Sequence, residues 1–219
     1  MHGDKIRVYA WEVPVRLTHW INVLSILVLS VTGYYIGNPF VYALSSKQFI
    51  MGWMRFIHFV AAYTFVMSLI IRFYWSFMGN KYSRLKEWFP FSSQDWKYAY
   101  EELKFYLNIG RKEPHVIGHT ALFGLAGLMV IVISLFMVFS GFALYSVNHT
   151  GILWTAMGGW LLGFIDLQTA RLFHHLLMYV ILAFAIMHVY ISWYSDVRKG
   201  NGMIGSIFNG YKFIPKDRD

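Results

Sequence analysis

Cysteine is absent from all 219 residues. Disulfides, iron-sulfur clusters and thioether-attached haem are therefore excluded, because each needs a cysteine sulfur. Charge is scarce as well: 14% of residues are Asp, Glu, Lys or Arg, against 57% hydrophobic and 20% aromatic, with a mean hydropathy of +0.45. That balance suits a chain immersed in lipid, and the length suits one domain, 1–219, whose apolar runs make membrane spans rather than a globular core. The eleven acidic residues fall in loops or at the ends of apolar runs. A haem-free, histidine-using transporter is the rival reading from another class, and this placement counts against it, since transporters set carboxylates within the bilayer. The N-terminal segment has neither the apolar core nor the small-residue cleavage site of a signal peptide, so Met1 is expected near the mature start. The net charge of +8 lies in loops between apolar runs, where it orients spans and implies no nucleic-acid partner.

The apolar runs predict an all-α integral membrane four-helix bundle, with spans at about 17–36, 53–77, 120–145 and 172–194. Pro14 is placed to open the first helix, and GYYIGNP closes it. Arg72, late in the second span, is expected to snorkel to the interface. SQDWKYAYEELKFYLNI, between spans two and three, reads as an interfacial helix on the cytoplasmic side. GILWTAMGGWLLGFI is too short to cross and reads as a lid or re-entrant piece. Four spans put both termini on one side. The loops of that side carry most of the lysine and arginine, and the other side keeps only Lys47, Arg55 and Arg171. By the positive-inside rule both termini are cytoplasmic.

Histidine inside such spans calls for a functional reading. His174 and His188 are fourteen residues apart in the run FHHLLMYVILAFAIMHVY, nearly four turns and roughly 21 Å along one helix face. They cannot share one metal ion, but each can serve its own. His175 is rotated about 100° from His174 and points elsewhere, as a headgroup-facing or hydrogen-bonded neighbour. His19 begins an outward-going span and His58 an inward-going one. Depth therefore pairs His58 with His174 near the outer face and His19 with His188 near the cytoplasm. Two bis-histidine haems stacked across a bundle require such pairs. His2 and His149 read as solvated residues. Gly33, Gly124, Gly127 and Gly141 are small enough to let a helix or a porphyrin approach.

VPVRLTHW around His19, TGYYIGNP, RFIHF around His58, RFYWSFMGNKYSR, SGFALYS and FHHLLMYVILAFAIMHVY together resemble the b-type cytochrome subunit of membrane-bound nickel-iron uptake hydrogenases. Membrane subunits of formate dehydrogenases share the four-helix plan and the histidine pattern, but MGNKYSR is similar to the hydrogenase branch. The resemblance implies two haem b groups, with His58 and His174 as axial ligands of the outer iron and His19 and His188 of the inner. It implies partner small and large hydrogenase subunits on the periplasmic side of the bacterial inner membrane, and a possible higher oligomer of the complex. Electrons would pass from the small subunit through the outer and inner haems to a quinone, menaquinone or ubiquinone. Without cysteine, this chain alone cannot split hydrogen. Quinone reduction needs protons and hydrogen bonds near the inner haem, where His119, Thr120, Tyr190 and His115 are the candidates. The family often has GHNP at the start of span three, whereas Gly118, His119, Thr120 and Ala121 stand here.

Overall fold

The computed structural model describes residues 5–45, 47–84, 93–106, 109, 121–149 and 151–215. In chain order they form strand β1 (Lys5–Tyr9) and helices α1 (Val13–Gly37), α2 (Ile50–Met78), α3 (Ser93–Tyr106), α4 (Ala121–Ser146) and α5 (Ile152–Met157). A 3-10 turn (Gly159–Gly163), α6 (Leu167–Lys199), α7 (Met203–Asn209) and β2 (Tyr211–Pro215) complete the chain. Helices α1, α2, α4 and α6 are long and apolar enough to cross a membrane, with mean hydropathies of 1.5, 1.8, 2.5 and 2.0 over their best windows. Large apolar side chains such as Leu24, Phe56, Val132 and Ile186 stand exposed along them, as lipid-facing residues do.

Contacts divide the chain into two compact units, one of Met1–Thr18, Ile71–Ile131 and Ala185–Asp219, the other of His19–Ile70 and Val132–Phe184. In the second, the four long helices close a ring of neighbours. Thr32 of α1 meets His58 of α2, and Phe59 of α2 packs edge-on against Tyr145 of α4 at 4.8 Å. Ser140 of α4 meets His174 of α6, and His175 and Met178 of α6 lie against Gly37 and Gly33 of α1. The sequence run from Gly151 is broken into α5 and the 3-10 turn at Gly158. A Cβ there would stand 2.7 Å from Cβ of Phe142 and 2.8 Å from the amide of Ala143, so only glycine lets this short segment lie on α4.

The first unit holds a feature the polar termini did not announce: β1 and β2 pair antiparallel, from Lys5 opposite Pro215 to Tyr9 opposite Tyr211. Ala10 and Trp11 donate their amides to the carbonyl of Gly210 at 2.9 and 3.0 Å, and the Trp11 indole donates to Ser206 Oγ at 3.0 Å. Gly210 has φ +90, where a side chain is strained. Glu12 ties this segment to the end of α2. Its Oε2 accepts from the Trp75 indole and the Asn80 amide at 2.8 Å each, while the Ser83 hydroxyl gives its one hydrogen to Asn80 Oδ1 at 2.9 Å. Asn80 Oδ1 in turn accepts from the Tyr82 and Ser83 amides at 3.1 Å each. The motif MGNKYSR is thus a helix-ending knot built around one carboxylate.

Two positions depart from simple surface readings. Helix α3 turns Ala99 and Glu102 inward, at 6% and 1% exposure, and sets Tyr106 6.2 Å from Tyr194 of α6. Arg72 is half-buried, with Nη1 fully buried, while its neighbours Ile71 and Phe73 are exposed. Residues on this face of α2, Ser68 and Ser76, are buried too, so the guanidinium is turned inward with them.

Candidate functional site

His58 lies about two turns into α2 and His174 about two turns into α6, both within one unit. Gly33 of α1 lies against both the His58 ring and Met178, the latter one turn beyond His174 on α6. Thr32 Oγ1 is 2.9 Å from His58 Nδ1, and Ser140 Oγ is 2.8 Å from His174 Nδ1. Each hydroxyl also sits 2.7 Å from a carbonyl one turn back on its own helix, Val28 for Thr32 and Phe136 for Ser140. A hydroxyl has one hydrogen to give. The shorter carbonyl contact takes it, so the imidazole donates its Nδ1 hydrogen to the hydroxyl oxygen. Both rings are then held in the tautomer whose Nε2 lone pair is free. Histidines that ligate metals are oriented in this way by a partner on the other ring nitrogen.

Small residues leave room beside both rings. A Cβ on Gly33 would stand 3.2 Å from His58 Cε1, and one on Gly141 would stand 3.4 Å from His174 Cε1. These are two of the four glycines the sequence singled out, and they sit at the two imidazoles. Among the described residues no three His, Cys, Asp or Glu side chains gather as a metal-ion site. An imidazole nitrogen is one of the donors that haem iron takes.

His175 is half-buried and donates its own Nδ1 hydrogen to the Arg171 carbonyl at 3.0 Å. Its Nε2 edge points at the end of α1, where a Cβ on Gly37 would collide with Nε2 and stand 3.0 Å from Cδ2. This matches a hydrogen-bonded neighbour rather than a third ligand.

His19 and His188 belong to different units and are described singly. His19 is half-buried, with its ring edge-on to Trp20 at 5.5 Å. His188 is half-buried between the exposed Met187 and Val189, so its imidazole is turned away from the lipid side. Of the quinone candidates, Tyr190 is exposed and its ring stacks on Tyr194 at 6.2 Å. His115, His119 and Thr120 lie outside the described residues.

Thr32 and Ser140 were missed by the reading of the sequence. A signal existed: each is a hydroxyl residue inside an otherwise apolar helix, next to a glycine that faces the same imidazole, in TG at Thr32–Gly33 and SG at Ser140–Gly141.

The fold and these inward-facing, hydroxyl-anchored imidazoles define an integral membrane four-helix protein equipped to carry a cofactor between its helices. Residues 10–210 match the family model described as prokaryotic cytochrome b561. The chain belongs to the prokaryotic cytochrome b561 family, and that membership implies haem b. It is 37% identical to a probable Ni/Fe-hydrogenase B-type cytochrome subunit of Rhizobium leguminosarum bv. viciae, over 100% of this chain and 95% of the relative. It is 34% identical to the protein of the same description from Rhodobacter capsulatus, over 96% and 83%. It is 35% identical to a probable Ni/Fe-hydrogenase 1 B-type cytochrome subunit of Escherichia coli strain K12, over 93% and 90%.

Proposed function

We propose that this chain is the membrane cytochrome subunit of a nickel-iron hydrogenase complex and carries electrons from that partner to a membrane quinone. The observation that carries the reading is the twin arrangement at His58 and His174, each with Nδ1 anchored to a hydroxyl and Nε2 free. The descriptions of the relatives favour a hydrogenase as the electron source.

His58 and His174 would hold the outer haem, and His19 and His188 the inner one, the second pair resting on the depths that span order assigns. When bound, the haems would supply reversible one-electron transfer. The chain fixes the ligand nitrogens, keeps water from them with apolar helix, and divides the membrane into short steps. With no cysteine in the chain, the iron-sulfur clusters and the nickel-iron centre belong to the small and large partner subunits. These stand on the periplasmic side of the inner membrane, where the loops of this chain are poor in lysine and arginine. Hydrogen oxidation there releases two electrons and two protons. A menaquinone or ubiquinone near the inner haem takes up two electrons and, from the cytoplasm, two protons. Tyr190, His119, Thr120 and His115 are the proposed groups beside it.

The test is anaerobic addition of hydrogen to the complex purified from membranes, with the visible spectrum of the b haems as readout and mass spectrometry naming the co-purified subunits. Reduction of the haems by hydrogen, reversed by added quinone, supports the reading. Reduction by formate alone, with formate dehydrogenase subunits present, replaces the hydrogenase by another partner. A colourless complex contradicts both and favours a transporter.

A further inference from the structure

Arg72 is a cation within an apolar helix, and the electron path described so far makes no use of it. It lies in α2 with its guanidinium turned inward and Nη1 buried. Charges at such depth are expensive and are kept where they meet a specific partner or ligand.

Its position along the chain identifies the ligand. His58 and Arg72 are fourteen residues apart on α2, as are His174 and His188 on α6. Fourteen residues are about 40° short of four turns and roughly 21 Å of rise, so in each helix the second residue shares the face of the first. Helices α2 and α6 are the second and fourth spans and run in the same direction. Arg72 and His188 thus stand at the same step along two parallel spans, and both belong to one unit.

Ser195 supplies an independent observation in that unit. It follows His188 by seven residues, about two turns and 20° short of the same face. It is 1% exposed, and its Oγ is buried with no hydrogen-bond partner among the described residues. An orphaned buried hydroxyl is costly and points to a group that is missing from the protein alone. A hydroxyl and a guanidinium in one unit with His188, both donor groups, suit an acceptor that is anionic. Haem b brings its own: two carboxylates on the edge of the ring.

We propose that Arg72 and Ser195 bind the carboxylates of the inner haem, and that the charge of Arg72 raises the reduction potential of that haem relative to the outer one. This rests on the two-haem reading above. A fixed positive charge in a medium of low dielectric favours the form with one more electron. Placed at the inner haem alone, it draws the electron inward, toward the quinone.

The experiment is a redox titration of the purified holoprotein, followed at the haem bands, for wild type, Arg72→Gln, Arg72→Lys and Ser195→Ala. Arg72→Gln is expected to lower one midpoint enough to change the electron's distribution between the haems at least tenfold, about 59 mV for one electron. The other midpoint stays in place. Arg72→Lys keeps the charge and moves the same midpoint less, and it remains readable if the glutamine variant does not fold. Ser195→Ala shifts that midpoint in the same direction. In a His188→Ala background, which leaves the outer haem, Arg72→Gln moves nothing.

Unmoved midpoints in the folded Arg72 variants overturn the assignment while leaving two haems standing, and so does a shift that persists in the His188→Ala background. If Arg72 instead neutralises Glu102, the buried carboxylate of the same unit, Arg72→Gln and Glu102→Gln lose thermal stability alike with both midpoints in place. That outcome also overturns it. Fewer than two haems in the wild type overturns the assignment together with the reading it rests on.

Discussion

Thr32 Oγ1 lies 2.9 Å from Nδ1 of His58 and 2.7 Å from the carbonyl oxygen of Val28, so the hydroxyl gives its hydrogen to the carbonyl and takes one from the imidazole. The direction of that bond decides what the ring can do. With the hydrogen fixed on Nδ1, Nε2 presents a lone pair in the form an iron ligand requires. Ser140 repeats the arrangement at His174 on the other two helices of the ring. Two unrelated helix pairs thus converge on the same solution, and structural histidines in an apolar core have no common reason to do so.

Removing one of these hydroxyls is expected to loosen a ligand without deleting it. Ser140→Ala leaves a buried imidazole N–H without its acceptor. Groups that orient metal ligands from behind typically change affinity about 10- to 100-fold. Haem should wash out of the Ser140→Ala protein faster than from wild type, measured as haem per chain after transfer to apomyoglobin. Ser140→Thr, which keeps the hydroxyl, should retain it.

Gly37 and His175 should behave as one contact. Gly37→Ala drives a Cβ into the His175 ring and strains its bond to the Arg171 carbonyl; overpacking of this kind costs about 1–3 kcal/mol. The loss should appear in thermal unfolding in detergent. It should largely vanish when Gly37→Ala is made on His175→Ala, the mark of coupled neighbours in a double-mutant cycle. Equal losses in both backgrounds would assign the glycine to backbone geometry instead.

Glu12 holds two donors at the end of α2, the Trp75 indole and the Asn80 amide, each at 2.8 Å. Hydrogen bonds to a charged acceptor contribute about 1.5–3 kcal/mol each, so Glu12→Ala should cost at least that much in unfolding. The Trp75 indole, released from its acceptor, should shift its fluorescence. Glu12→Gln keeps one acceptor oxygen and should fall between the two.

Asp166 stands before the first turn of α6, accepting from the amides of Gln168 and Thr169 at 2.9 and 3.0 Å and from the Thr169 hydroxyl at 2.6 Å. The Thr169 hydroxyl, first, and the backbone amides hold its carboxyl below the ordinary carboxylate range. A group with a depressed native pKa stabilises the fold fully above its unfolded value. That contribution fades as pH falls through the depressed one. The thermal midpoint should therefore drop below about pH 4 more steeply in wild type than in Asp166→Asn. Parallel profiles would remove Asp166 from the acid response.

Much of the fold was legible because lipid leaves the chain few choices: four long apolar runs and breakers such as Gly37-Asn38-Pro39. Helix α6 extends beyond its apolar run because Asp166 caps it five residues earlier, and capping is invisible to hydropathy. The pairing of β1 with β2 joins segments some two hundred residues apart, and a five-residue alternation such as KIRVY is too short to announce it. Glu102 read as a surface residue because its helix is polar overall; only docking against its own unit shows which face is buried. At the site, histidine inside an apolar helix drew attention in the sequence, and the hydroxyls beside it did not. Serine and threonine commonly bond their own helix, and the one local hint at these two is the glycine that follows each.

The central claim is that paired imidazoles on facing helices each hold a haem. The most direct measurement is pyridine haemochrome quantification of the purified wild-type, His174→Ala and His188→Ala proteins. Two b haems per wild-type chain, with each variant losing a different one as judged by the midpoint of the haem that remains, is the result this account predicts. A wild-type chain without haem, purified folded from cells replete with it, or two haems that survive both substitutions, would contradict it.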